Sequence, residues 1–367
     1  MKLMIIKKIT AVLLTAALLV SGLCICAGAE SAGAKGGTLN PLSYNVSGIP
    51  IFGDTQGTQR ELKGEDRMHK IGEILSTESG CDIVGVQEDF NLHPYLAEAM
   101  TAFPYQTETS GGVPLGDGLN AFAAHPIYNV KRTAWEKCYG VLSGSADRLA
   151  EKGILSCVME IEDGVFIDFY VIHTDAGIDV ASVAARKDNF RQLTEMINSR
   201  EEDRALIILG DFNSRYNRNQ DDDLYNNLVK PVGLTDVWAE LHNGGDYTYD
   251  NGENWNPTLN ESIDKVMFKN GGGVEFEPQS LEYITFTNEN GETYTDHIST
   301  KVSLSYKITG ECKAPASLEA PKPADKTKMA LAETAAIIKA LVLVFTHIHE
   351  LFYLLGQGIA LIVAPVP

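Results

Sequence analysis

Between residues 39 and 306 the apolar positions follow two rhythms. Short continuous apolar runs bounded by Gly, Asn and Asp predict buried strands over Leu42–Val46, Ile83–Gln87, Val165–His173, Ala205–Gly210, Ser262–Phe268 and Val302–Tyr306. Two stretches repeat at helical spacing instead. Arg67–Glu78 places Met68, Ile71, Ile74 and Leu75 on one face, and Val183–Ile197 does the same with Phe190, Leu193, Met196 and Ile197. Strands and amphipathic helices that share one core predict an α/β fold in helix–sheet–sheet–helix layers.

The two ends follow other patterns. Lys2, Lys7 and Lys8 precede an apolar run from Ile9 to Val20 and the small residues Ala27-Gly28-Ala29. This is the three-part plan of a secretory signal over 1–29, too short for an ordinary span, and it predicts export to the extracellular space or the outer face of the cytoplasmic membrane. Leu23 and Ile25, not Gly or Ala, precede Cys24 and Cys26, which argues against a lipid anchor there. A catalytic domain is expected over 37–308, then a Pro/Ala/Lys-rich linker over 309–330 and a hydrophobic tail over 331–367. In the tail Lys339, Thr346, Glu350 and Gln357 superpose on one narrow helical stripe, so the expectation is a hydrophobic helix that spans a membrane or lies on it. His347 and His349 point to different helix faces and read as polar residues at a break.

Composition narrows the classes. Of 367 residues 44% are hydrophobic, enough for a real core, so general disorder is excluded. The net charge of −19 disfavours a dedicated nucleic-acid binder, whose affinity rests on Lys and Arg. After export Cys81, Cys138, Cys157 and Cys312 remain, an even number that allows one or two disulfides. Cys81 opens an apolar strand and also reads as a small buried hydrophobe.

Candidate chemistry sits at the ends of the apolar runs. Val86-Gln87-Glu88 delivers a carboxylate, Ile172-His173-Thr174 an imidazole, Gly210-Asp211-Phe212-Asn213 a carboxylate and an amide, and Thr295-Asp296-His297 an acid beside an imidazole. Taken singly, each reads first as a turn residue or a satisfied histidine. Taken together, strand ends of one core can converge on one cleft.

With Tyr44-Asn45-Val46 and Ser262-Ile263-Asp264-Lys265-Val266, these segments resemble, in order, the six motifs of the endonuclease/exonuclease/phosphatase superfamily over about Leu39 to Lys307. The resemblance implies a four-layered α/β sandwich and a divalent cation: magnesium first, with manganese or calcium as alternatives. It implies that Glu88, Asn45 and Asp296 serve the metal, and that Asn45, Asn213 and His173 bind the scissile phosphate. Asp211 and Asn213 would orient the attacking water. His297, oriented by Asp264, would act as base or transition-state stabiliser, and His173 would protonate the leaving oxygen or donate to the phosphate. The family's mid-chain histidine usually has an acid partner, for which Asp117 and Asp175 are both candidates. Asp89, next to Glu88, is expected to face away, behind the site or into solvent.

The shared motifs leave the substrate open. Export, acidity and the tail favour a phosphodiester of lipid-headgroup type, as in sphingomyelinase-like relatives. An extracellular nuclease and a catalytically silent surface module are the alternatives. Local features that could tune the choice are the loop Ser110–Gly118 and the aromatic residues Trp238, Tyr247, Tyr249 and Trp255, the latter equally readable as core. Arg186 and Lys187 could reach phosphate, although an exposed helix face is their default.

Overall fold

Strand formation follows the apolar runs, because a segment buried on both faces needs no alternation. The structure is a computed structural model and describes residues 35–48, 62, 64–113, 116–141, 147–216, 222–246, 263–322, 326–349 and 352. The expected signal segment, Tyr247, Tyr249, Trp255 and most of the tail beyond 349 lie outside the described residues. The chain divides into units Met1–Gly36 and Gly37–Pro367, and the second carries the architecture below.

One mixed sheet runs β1 (Gly36–Leu39), β13 (Ser299–Ile308), β2 (Pro41–Asn45), β3 (Ile83–Gln87), β5 (Asn120–Ala123) and β4 (Tyr105–Gln106), with β12 (Val274–Ile284) paired to β13. The other runs β10 (Thr235–Asp236), β11 (Asp264–Lys269), β9 (Leu206–Asp211), β8 (Val165–His173), β7 (Gly153–Glu162) and β6 (Ile127–Ala134). β2 and β3 are parallel, as are β8 and β9.

The two-residue period sorts the core. Ile167, Phe169, Val171, Ile207 and Leu209 point between the sheets and share one cluster with Ile83, Ala121 and Leu304. Tyr170, Ile172, Leu206 and Ile208 point outward onto Phe190, Leu193 and Ile197. Those three belong to the helix Val180–Asn198. On the far side Val84 and Val86 meet Met68, Ile71 and Leu75, from the helix Gly64–Thr77, and Leu96, from the helix His93–Ala99. These helices are α1 (Gly64–Thr77), α2 (His93–Ala99) and α3 (Val180–Asn198); α4 (Val237–Asn243) and α5 (Lys326–Thr346) follow. The expected four-layered α/β sandwich is therefore what forms. Its sheets approach closely at Gly85, where a Cβ would lie 2.1 Å from Leu209 Cδ1 and 2.9 Å from Val171 Cγ2.

Several boundaries differ from the periodic reading, each for a local reason. α3 begins at Val180 and not Val183, because the Asp179 carboxylate accepts from the backbone N–H of Ala181 and Ser182 and caps the helix. β6 and β12 carry no clean apolar run. β6 is half-exposed and broken at Asn129, whose φ is 53°, and β12 shifts register between Pro278 and Ser280. Residues 309–322 form neither helix nor strand, and part of this segment is docked on β6. Asn129 N donates to Glu319 O at 2.8 Å, and Asn129 Nδ2 donates to Ser317 O at 2.8 Å, covering an edge strand. Cys81, Cys138, Cys157 and Cys312 are all free, so the disulfides allowed by their number do not form among the described residues.

Candidate active site

Strand register brings the motifs together. Asp211, the last residue of β9, is paired with His173 at the end of parallel β8 and with Asp264 at the start of antiparallel β11. In the other sheet Asn45 ends β2 opposite Gln87, so Glu88 emerges beside it. The strand does not simply continue through Glu88, whose φ of 64° turns the chain. Gly118 closes over that turn, since a Cβ there would meet Glu88 Cα at 3.0 Å.

Asn45 links the two sheets. Its Nδ2 donates to Glu88 Oε1 at 3.1 Å and to Asp211 Oδ2 at 3.2 Å, while its Oδ1 accepts from Ser47 N at 3.0 Å. The same Asp211 oxygen lies 3.3 Å from His173 Nε2 and 3.9 Å from His297 Nε2. His297 Nδ1 is 2.9 Å from Asp264 Oδ2, the orienting pair that the resemblance implies. Asn213 lies close to Asp211: its N–H donates to Asp211 Oδ1 at 2.9 Å and its Nδ2 to Thr174 O at 3.2 Å. Asp296 is exposed beside His297 and accepts a short hydrogen bond from Ser47 Oγ. All eight predicted positions thus lie on these strand ends or the loops joined to them.

The electrostatics follow from this crowding. Burial pushes the Asp211 carboxyl up, but His173, His297 and Lys152 outweigh it and hold the group well below the usual carboxylate range. Burial alone would lower His297; Asp264, Asp211 and Asp296 reverse this and raise the imidazole to about 10. Asp264 is pushed up to about 6, by burial first, with His297 acting against the rise. The site therefore holds one firmly ionised carboxylate between two histidines.

Two donor sets could hold a cation. Ligand atoms of Asp211, Asp264 and His297 lie within 4.8 Å of one another. In that trio the His297 Nδ1 and an Asp264 oxygen already face each other at 2.9 Å, so part of the donor set is engaged within itself. The oxygens of Glu88 and Asp211, both bonded to the Asn45 amide, fit a hard cation better.

Three expectations change. Neither Asp117 nor Asp175 partners His173: Asp117 is bonded to Arg132 and Ser110, and Asp175 accepts from Tyr139 N. His173 Nδ1 has no partner among the described residues, and its Nε2 faces Asp211 instead. Asp89 is fully buried and bonded to His93 Nδ1 at 2.6 Å and Asn120 Nδ2 at 2.7 Å, so it faces the interior and not solvent. Arg186 is buried too, paired with Asp222 and donating to the carbonyls of Asp175 and Gly177, where it braces the loop after His173. Lys187 keeps to the partly exposed face, and Trp238 stacks on Tyr216 at 4.4 Å as core.

The motifs left out several supporting groups. Arg67 is buried and donates to Val46 O, Ser47 O and Tyr294 O, tying the Asn45 and Asp296 loops to α1. Thr295 Oγ1 donates to Asn45 O at 3.1 Å. Lys152 pairs with Asp147 at 2.5 Å and approaches Thr174 O at 3.5 Å. An Arg on an otherwise apolar helix face was the one such signal visible beforehand.

Comparison with known proteins agrees with this geometry. Residues 119–246 match the model of Endonuclease/Exonuclease/phosphatase family 2. A sphingomyelinase of Mycobacterium bovis is 28% identical over 284 residues, which is 74% of this chain and 53% of that protein. The chain thus spans about half the length of the curated relatives it matches. An endonuclease/exonuclease/phosphatase family protein from Bacteroides thetaiotaomicron superposes with a TM-score of 0.52 at 20% identity, covering 74% of this chain and 98% of its own. A beta toxin mutant from Staphylococcus aureus with bound magnesium ions gives 0.50 at 17% identity, over 72% and 99%. Motif order, two-sheet architecture and the family model over residues 119–246 coincide, and the chain resembles the endonuclease/exonuclease/phosphatase superfamily in sequence and shares its fold.

Proposed function

We propose that this protein is an exported, divalent-metal-dependent phosphodiesterase that hydrolyses the headgroup diester of a lipid. The observation that carries the reading is the Asn45 amide bonded at once to Glu88 and Asp211, with both histidines turned onto that same Asp211 oxygen. Such a cleft offers oxygen donors for a cation, neutral amide donors for phosphate oxygens, and two imidazoles for proton transfer and charge.

Each residue then has a task that its contacts support. Glu88 and Asp211 would hold a cation of the magnesium class, with Asp296 at the rim; bound there, the ion would polarise the phosphoryl group. Asn45 holds the Glu88 and Asp211 carboxylates side by side, and Asn213, beside Asp211, orients a phosphate oxygen. His297, held at Nδ1 by Asp264, neutralises charge that builds up as water attacks phosphorus. His173 places Nε2 to protonate the departing oxygen. The lipid assignment rests on the similarity to a sphingomyelinase and on the strong negative charge, which works against nucleic-acid binding.

One assay panel tests the reading: the full chain with magnesium on sphingomyelin, plasmid DNA, a nucleotide and bis-p-nitrophenyl phosphate. Sphingomyelin and the small diester should be cleaved and DNA left intact. Nicking of DNA without lipid cleavage would move the assignment to a nuclease, and inactivity on all four would leave a silent surface module.

A further inference from the structure

Large apolar side chains that stay strongly exposed gather in two places among the described residues. The first is α5. Its polar contacts point to the body, Lys339 Nζ to Glu151 Oε1 at 2.6 Å and His347 Nε2 to Arg148 Nη1 at 3.3 Å. The opposite side leaves Leu331 69%, Ile338 58% and Phe345 71% exposed, with Leu341 and Val342 between them. The second is the pair of loops beside the cleft, where Ile178 is 77% and Val180 88% exposed and Tyr139 lies nearby in the same bonded network.

One set of bonds joins the two places and leads to the catalytic groups. Arg148, which meets α5, follows Asp147, and Asp147 Oδ2 accepts from Ala176 N at 2.7 Å, two residues before Ile178. Asp147 also pairs with Lys152, which approaches the carbonyl of Thr174 next to His173. The apolar side of α5 and the Ile178–Val180 rim are therefore anchored on the same short segment, 147–152, at the edge of the cleft.

We infer that α5 and the Ile178–Val180 rim seat the protein on a zwitterionic lipid surface, with the cleft held at that surface. Contiguous exposed apolar groups mark a binding face, and α5 turns such a row away from the body while its half-buried side, Ala336, Ala340, Leu343 and Val344, is turned from solvent. No helix among the described residues is long and apolar enough to cross a membrane. The charge of −19 opposes an anionic surface, so insertion of apolar groups drives attachment. A protein partner over Ile178 and Val180 would sit on the loop that follows His173, whereas a lipid surface there brings substrate to it. The inference deepens the proposed function and rests on it for the substrate; attachment itself needs no turnover.

Co-sedimentation of the full chain with phosphatidylcholine vesicles, without magnesium, tests it beside hydrolysis of soluble bis-p-nitrophenyl phosphate. The protein should sediment with neutral vesicles, keep doing so in high salt, and gain nothing from added phosphatidylserine. Phe345→Asp and, independently of the helix, Ile178→Asp should each reduce bound protein about tenfold while the soluble diester is cleaved at the unchanged rate. Failure to sediment, undiminished binding in both variants, or binding that needs anionic lipid and vanishes in salt would overturn the inference. A dimer that Phe345→Asp dissociates, without vesicle binding, would likewise overturn it by giving this face to a second copy. Vesicle binding with no diester cleaved would keep the inference and remove the proposed function.

Discussion

Asp211 is where the site's charges meet: one carboxylate oxygen faces the Asn45 amide, His173 and His297. Removing the groups around it should separate their roles. His297→Ala should lower kcat by about 10² to 10⁴-fold, the range for a positioned acid–base group. Its stability cost should stay near about 1 kcal/mol, because Asp264, already raised to about 6, can take up a proton once its partner is gone. Steady-state kinetics with a denaturant titration check both halves. Glu88→Gln keeps shape but removes a charge, and it should raise the magnesium concentration needed for half-maximal activity; an unchanged requirement would take Glu88 out of the cation site. The types and order of these residues were readable from strand-end motifs alone. The fate of Asp89 and Arg186 was not, since alternation and helix spacing say which way a side chain leaves the backbone but not what waits there.

Helices and strands act here as brackets for loops. Arg67 on α1 donates to three carbonyls of the loops that carry Asn45 and Asp296. Arg67→Ala would strand those acceptors inside the protein and should cost about 3 kcal/mol or more of unfolding free energy, with activity falling alongside. Gly85→Val places methyl groups where Leu209 and Val171 already sit, so β3 and the opposite sheet must part. Overpacking of this kind should cost about 1–3 kcal/mol, measurable by chemical denaturation, and it should shift Glu88 as well, three residues on. Long apolar strands such as β8 and β9 were legible because burial on both faces leaves a continuous run. β6 and β12 were not, because an edge strand that is half wet and bulged has no such run.

Across the domain, the segment that supports the cleft stores a pH dependence. Asp175 is pushed up to about 8, by burial first and then by Asp147. Folded protein therefore keeps a proton that the unfolded chain has released above its ordinary carboxylate value of 3.8. This contribution to stability is full below that value and is lost as pH rises towards about 8. Asp175→Asn should flatten the decline, and thermal denaturation at a series of pH values would show it; an identical slope in the variant would remove Asp175 as the cause. Local pattern was enough to specify that buried strands end in chemistry-bearing residues and that helices cover them, because burial and periodicity are properties of neighbours in the chain. The pairings that make a site depend on contacts between segments more than 160 residues apart, as between Asn45 and Asp211, and on which interior groups are left facing one another. No local rule carries that information: Asp211 became the shared partner of two histidines, and Asp117 and Asp175 were drawn elsewhere, only when the sheets closed on each other.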